Sequence, residues 1–115
     1  EKIDFKFIES DFRKINYNEV GKFNIYVFDG PHEIKDQYDG IAIVQPSLDD
    51  IFILIIDDWN TSHIRQGTLE VINDLNIKII SKIEIMTTQD NTMPKLFQCQ
   101  FSDWHNGYFI AVCQK

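Results

Sequence analysis

The sequence has 115 residues, of which 43% are hydrophobic and 25% charged, as expected for one globular domain spanning 1–115. Its formal net charge of −7 repels nucleic-acid phosphate and anionic lipid, and argues against both as partners. No apolar run is long enough to span a membrane, and Cys99 and Cys113 lack metal-ligand spacing, so we expect a cytoplasmic protein with reduced thiols.

Strand patterns and helix patterns alternate along the chain. Residues 3 to 8 alternate apolar and polar side chains, which is typical of a half-buried strand. Residues 23 to 28 and 51 to 56 are almost wholly apolar, and this pattern predicts strands covered on both faces of a parallel sheet.

A helix is predicted after each of the two apolar strands. The first helix has its apolar face at Ile34, Tyr38, Ile41 and Ala42 and ends before Pro46. The second has its apolar face at Ile64, Thr68, Val71, Ile72 and Leu75, with Thr61 or Ser62 as the N-cap.

The last third of the chain contains further strand patterns. They fall at Ile79, Ile83 and Ile85, at Phe97, Cys99 and Phe101, and at residues 108 to 113. Asn106-Gly107 predicts a hairpin turn before the last strand. The fold class expected is therefore α/β, a mostly parallel sheet with helices on its faces and an antiparallel C-terminal hairpin.

Acidic residues follow both apolar strands, with Asp29 after the first and Asp57 and Asp58 after the second. The carboxyl ends of neighbouring parallel strands share one crevice, where a hard cation such as Mg²⁺, Mn²⁺ or Ca²⁺ would offset the repulsion. Two observations favour ordinary turn residues instead. Asp is common in turns, and adjacent residues of a strand point to opposite faces.

Histidines and tryptophans near these strand ends have two interpretations. His32, in the first turn of the first helix, is either a solvated residue or a general base. For His63 and His105 a structural role is expected. Trp59 and Trp104 are expected to cover the core rather than bind a substrate.

The order FNIYVFDGPH, then QPSLDD, then IFILIIDDWN resembles the second half of a class I S-adenosylmethionine-dependent methyltransferase. It is most similar to the metal-dependent small-molecule O-methyltransferases, whose fourth strand ends in Asp-Gly-x-His and whose fifth ends in Asp-Asp. The resemblance implies a Rossmann-like sheet. It also implies the C-terminal part of an enzyme that methylates a small hydroxylated molecule.

Site residues follow from the same resemblance. It implies that Asp29, Asp57 and Asp58 hold Mg²⁺ or Mn²⁺, and that Asp11 and Phe12 lie near S-adenosylmethionine. Because Pro31 occupies the position where the family often has a charged residue, His32 becomes the candidate base for the substrate hydroxyl.

One departure from the family concerns the cofactor. None of the five glycines lies two residues from another, so the Gly-x-Gly loop and the first two strands of the family are missing. We therefore expect a partial domain, truncated at its N-terminus and inactive in isolation. The alternatives are a non-catalytic binding or oligomerisation module and, with less support, a Mg²⁺-dependent phosphotransfer enzyme.

The missing strands would also leave one edge of residues 23 to 28 unpaired. Either residues 3 to 8 pair with that edge, which we favour, or two chains form a homodimer.

Overall fold

The computed structural model describes residues 4–90 and 104–115. The strands are β1 (Phe23–Phe28), β2 (Leu48–Ile56), β3 (Lys78–Ile85) and β4 (Tyr108–Gln114); the helices are α1 (Ile34–Ala42) and α2 (Ser62–Asp74). Short 3-10 helices lie at Phe12–Lys14 and Gln45–Ser47. The predicted α/β class is confirmed, and both predicted helices form.

The four strands build one sheet in the order β1-β2-β4-β3. The β1–β2 pair is parallel, whereas β4 is antiparallel to both β2 and β3. The sheet is therefore mixed rather than mostly parallel. The C-terminal strand β4 lies between β2 and β3 and runs antiparallel to both. The edge of the sheet beyond β4 is therefore formed by β3.

Both helices pack on one face of the sheet. Along each strand every second side chain points toward the helices. These side chains and the apolar faces of the helices form the buried core, which consists of Phe28, Ile41, Val44, Leu48, Phe52, Leu54, Ile56, Trp59, Ile64, Val71, Ile72, Ile77, Phe109, Ala111 and Cys113. On the opposite face of the sheet, which we call the open face, Ile25, Val27 and Ile51 are each more than half exposed. The expectation that β1 and β2 are covered on both faces is wrong for the part of the chain described.

Two glycines allow the helices to approach the sheet and each other. A Cβ at Gly40 in α1 would lie 2.2 Å from the ring of Phe28, so only glycine lets the helix pass over this aromatic side chain. A Cβ at Gly67 in α2 would lie 2.4 Å from the carbonyl oxygen of Ile34. These two contacts set the spacing of the helical layer and explain why Phe28 is buried at the end of β1.

The expected N-terminal strand is not formed by residues 4–8, which have no regular structure. Phe5 and Phe7 are more than 80% exposed. Arg13 pairs with Asp36 and Asp39 of α1, which ties the following segment to the helical side of the sheet. Among the described residues, β1 pairs only with β2, so the favoured repair of its edge is wrong.

Other expectations concern the cysteines, a further strand and the membrane. Cys113 is a buried free thiol in β4, and burial raises its pKa to about 11. Phe97, Cys99 and Phe101 lie outside the described residues. In the portion of the chain that is described, no helix has both the length and the apolar character needed to cross a membrane.

Candidate functional site

Both acidic strand ends lie at the same edge of the sheet. The backbone N–H of Asp57 donates to the carbonyl oxygen of Phe28 at 3.4 Å, so β2 stays beside β1 to its last residue. Asp58 then has a left-handed backbone with φ of 56°. Aspartate is one of the few residues that tolerate this conformation, and it turns the chain sharply after the strand.

This turn sends the two neighbouring carboxylates in different directions. Asp57 continues the alternation of Ile53 and Ile55 and lies at the end of the face that the helices leave uncovered. Asp58 is only 9% exposed and lies on the side of His32, which precedes α1. The two carboxylates therefore do not converge on one point.

Both oxygens of Asp58 have partners. Its Oδ2 lies 2.8 Å from His32 Nε2, and its Oδ1 accepts a hydrogen bond of 2.8 Å from Asn106 Nδ2. The His32 side chain is 46% exposed. A buried carboxylate thus holds a solvent-accessible imidazole by one ring nitrogen, while Asn106 fixes the carboxylate from the β4 side.

Asp57 belongs to a second pair, with Tyr108 at the start of β4. The backbone N–H of Asp58 donates to Asp57 Oδ1 at 2.7 Å, and Tyr108 lies close enough to Asp57 for each to shift the pKa of the other. Burial raises the pKa of the Asp57 carboxyl, whereas the hydrogen bond from the Asp58 backbone N–H lowers it. The charges of Asp58 and Asp29 raise it further, so the net shift is upward. Burial and the nearby Asp57 charge likewise raise the pKa of Tyr108.

The predicted metal ligands do not form a metal centre in this conformation. Within residues 4–90 and 104–115, no three His, Cys, Asp or Glu side chains are arranged to hold a metal ion. The reason is the direction of the side chains: Asp58 is bonded to His32 and Asn106, and exposed Asp29 acts on Asp57 through charge alone. The present arrangement does not fit the expected metal.

The predicted cofactor residues make contacts within the chain. The Asp11 side chain accepts a hydrogen bond from the backbone N–H of Arg13 and caps the 3-10 helix. The Phe12 ring packs edge-on against Phe28 at 5.5 Å, and the Arg13 guanidinium lies 4.3 Å from its centre. Phe12 therefore lies close to the end of β1, but both residues have structural roles here.

The site is supported by Asn60, which the sequence analysis did not identify. Asn60 is fully buried, its Nδ2 donates to Thr87 Oγ1 at 2.8 Å, and its Oδ1 accepts from the Thr87 backbone N–H at 2.9 Å. Its own N–H donates to the Asn106 carbonyl oxygen at 2.8 Å. Asn60 thus joins the loop after β2 to the turn before β4, which positions Asn106 beside Asp58.

The roles of Asn106 and Tyr108 in the site were also missed, although Asn106 belongs to the predicted Asn-Gly turn and Tyr108 follows it. A turn pattern indicates how the backbone reverses, but it does not show which strand ends the turn will lie against. The register of β4 between β2 and β3 decides that.

The remaining aromatic and histidine side chains have distinct surroundings. Trp59 is 1% exposed and stacks on Phe109 at 4.5 Å, so it belongs to the core. Trp104 is half exposed and meets Tyr108 edge-on at 6.2 Å. His63 lies 4.0 Å from Glu33 at the surface. His105 has a left-handed backbone, with φ of 41°, in the turn before β4.

Comparison with known proteins adds no assignment to this geometry. No protein-family model matches the sequence, and no curated protein matches it.

Proposed function

We propose that this chain is the substrate-binding part of an S-adenosylmethionine-dependent O-methyltransferase for a small hydroxylated molecule, with His32 as the base. The observation that carries the proposal is the contact between His32 Nε2 and the buried Asp58 carboxylate at the strand ends. This contact gives the exposed imidazole a fixed position at the carboxyl ends of β1 and β2, the edge at which α/β sheets commonly bind ligands.

The tautomer of His32 follows from its partner. A carboxylate accepts hydrogen bonds, so Nε2 carries the proton that it shares with Asp58, and Nδ1 keeps a free lone pair. Nδ1 takes the hydroxyl proton of the substrate, and the Asp58 carboxylate stabilises the imidazolium that results. Asn106 keeps Asp58 in place and so acts as a positioning residue.

The order of the strands also supports the proposal. The resemblance implies a sheet with the order 3-2-1-4-5-7-6, and β1, β2, β4 and β3 of this chain follow the order 4-5-7-6. The antiparallel strand lies inside the sheet in both cases. In that comparison the acidic ends of β1 and β2 correspond to the ends of the fourth and fifth strands.

The residues that the resemblance assigns to the cofactor have other contacts in this structure. S-adenosylmethionine supplies an electrophilic methyl group when bound. Asp11 and Phe12 are engaged within the chain, and the sequence has no Gly-x-Gly loop. We therefore assign binding of the hydroxylated substrate and the proton acceptor to this chain, and expect no methyl transfer by the chain in isolation.

Binding of a simple hydroxylated probe tests the proposal. In an NMR titration with catechol, we expect the shifts to centre on His32, Asp58 and Asn106. His32→Gln removes the imidazole nitrogen that accepts a hydrogen bond from the bound hydroxyl, so it should weaken binding by up to about tenfold. The matched control is His63→Gln, because His63 is a surface histidine of similar exposure to His32. Shifts centred elsewhere, or equal affinity in all three proteins, would reject the site.

A separate experiment tests the divalent cation that the resemblance implies. If Asp29, Asp57 and Asp58 rearrange to bind Mg²⁺ or Mn²⁺, a cation at 100 times its dissociation constant stabilises the fold by about 2.7 kcal/mol. Thermal melting of the parent and of Asp57→Asn, with and without Mn²⁺, measures this effect. An equal response of both proteins would assign the carboxylates to turn formation and to the His32 contact alone.

A second candidate function is a non-catalytic binding or oligomerisation module. The observation that favours it is the exposed apolar face of the sheet, which an independently folded enzyme would normally cover. Catechol binding separates the two candidates, because only the first requires a ligand at His32.

A further inference from the structure

An aspartate or asparagine directly precedes a glycine at three places in the sequence, which are Asp29-Gly30, Asp39-Gly40 and Asn106-Gly107. Such pairs can rearrange without an enzyme, because glycine has no Cβ to keep its backbone nitrogen away from the side-chain carbonyl carbon of the residue before it. Attack by that nitrogen requires an N–H without a hydrogen-bond partner and a side chain that is free to turn. The surroundings of each pair therefore decide which one reacts.

The Asn106-Gly107 pair is held by hydrogen bonds on both residues. Gly107 N–H donates to the Trp104 carbonyl oxygen at 2.8 Å, and Asn106 Nδ2 donates to Asp58 Oδ1 at 2.8 Å. The Asn106 carbonyl oxygen also accepts from Asn60 N–H. An amide is normally attacked faster than an ionised carboxylate, but here both the attacking nitrogen and the side chain are engaged.

The Asp39-Gly40 pair is held by α1. Inside an α-helix the Gly40 N–H belongs to the helical hydrogen-bond ladder, which also fixes the backbone conformation. Lys35 Nζ donates to both Asp39 oxygens, at 2.9 Å and 2.7 Å. This hydrogen bonding lowers the pKa of the Asp39 carboxyl and keeps it in the charged form, which is a poor electrophile.

The Asp29-Gly30 pair lacks these restraints. The Asp57 N–H donates to the Phe28 carbonyl oxygen, and the pairing of β1 with β2 stops there. Across the described ranges, 4–90 and 104–115, neither the Asp29 carboxylate nor the Gly30 N–H has a hydrogen-bond partner. Asp29 is exposed, and residues 29 to 32 form no helix or strand. The nitrogen and the carboxyl group are therefore both free to meet.

We propose that Asp29 is a self-modification site, which converts to isoaspartate in the folded chain while Asp39 and Asn106 stay intact. Gly30 N attacks Cγ of the protonated Asp29 carboxyl, and the N–H proton leaves with the carboxyl O–H as one water molecule. The product is a five-membered succinimide, which a second water molecule opens. Hydrolysis of the new bond between Cγ and nitrogen restores aspartate, whereas hydrolysis of the original peptide bond leaves the chain running through Cβ and Cγ.

Isoaspartate at position 29 would act on His32, three residues further along the chain. The side-chain methylene joins the main chain, which becomes longer by one carbon–carbon bond of about 1.5 Å. His32 Nε2 lies 2.8 Å from Asp58 Oδ2, and a hydrogen bond is lost when the distance grows by much less than one bond length. The modification should therefore separate the imidazole from its carboxylate, whichever ligand the site binds.

The variant Asp29→Asn tests the proposal, because it places the same Asn-Gly sequence at an unrestrained and at a restrained position of one molecule. Peptide mapping by mass spectrometry follows deamidation at positions 29 and 106. In the folded protein we expect position 29 to react at least about tenfold faster, since Asn106 reacts only after its turn opens locally. Circular dichroism checks that the variant folds. In urea, where the chain is unfolded, the two rates should become similar. Equal rates in the folded protein, or a faster reaction at Asn106, would overturn the proposal.

The parent chain provides a second matched pair, Asp29 and Asp39. During long incubation at mildly acidic pH, where carboxyl groups begin to take up protons, isoaspartate should accumulate at Asp29 and remain at background level at Asp39. A second set of His32 NMR signals should appear in the same fraction as the isoaspartate. Earlier modification of Asp39 would overturn the assignment of the site, and unchanged His32 signals in modified chains would overturn its effect on the contact with Asp58.

Discussion

The two faces of the sheet are made from the same kinds of residue but have opposite environments. Phe52 and Ile51 are neighbours in β2, yet Phe52 is 1% exposed beneath the helices and Ile51 is 54% exposed on the open face. Both are apolar. The difference shows that an apolar strand pattern indicates only that a face of the sheet can be buried. Whether the face is buried depends on the elements that pack on it.

The largest expected effect comes from truncating one side chain on each face. Phe52→Ala leaves a cavity under the helices and should lower the free energy of unfolding by about 3–5 kcal/mol. Ile51→Ala removes side-chain surface that is already half exposed and should cost less than about 1.5 kcal/mol. Urea unfolding of both variants measures the two values. Similar losses would mean that the open face is covered in the monomer.

A smaller effect is expected where the helices meet. Gly67→Ala places a methyl group 2.4 Å from the Ile34 carbonyl oxygen, so α1 and α2 must move apart. Overpacking of this kind costs about 1–3 kcal/mol. Gln66→Ala, at the exposed neighbouring position of α2, is the control and should change stability by less than about 0.5 kcal/mol. If Gly67→Ala leaves the free energy of unfolding unchanged, α1 and α2 are packed less tightly than their contact at Gly67 indicates.

Much of the fold could be predicted from local patterns. The helical spacing of Ile34, Tyr38 and Ile41 and the apolar run of β2 correspond to elements that form where expected. The position of β4 inside the sheet could not be predicted in this way, because strand order depends on contacts between distant segments. Residues 4–8 show the same limit. Their alternating pattern is compatible with a strand, but no neighbouring strand pairs with them.

The site could be predicted only to the level of its location. Asp29, Asp57, Asp58 and His32 all lie at the strand ends where the sequence placed them. The pairing within the site depends on one backbone angle, because the left-handed conformation of Asp58 turns its carboxylate toward His32 and away from Asp57. The sequence does not specify that angle. For this reason the sequence analysis predicted Asp58 as a metal ligand and not as the partner of His32.

The smallest expected effect concerns Asp57, which lies where the open face ends. Burial raises the pKa of this carboxyl, so the folded state binds its proton more tightly than the unfolded state does. The stability that this group contributes is therefore greatest below its ordinary pKa and is lost as the pH rises through the raised value. Asp57→Asn removes the partly buried charge and retains an oxygen that can accept from the Asp58 backbone N–H.

The variant should accordingly melt at a higher temperature than the parent at pH 7, and the gain should shrink as the pH falls toward about 4. Melting curves at both pH values measure it. Asp50→Asn, which removes an exposed carboxylate from the same strand, controls for the loss of one negative charge from an acidic chain. Should Asp50→Asn give the same gain, general charge repulsion and not the buried position of Asp57 would be responsible. A gain that increases at low pH would instead contradict the direction of the pKa shift, and with it the placement of Asp57 beside Tyr108 at the end of the open face.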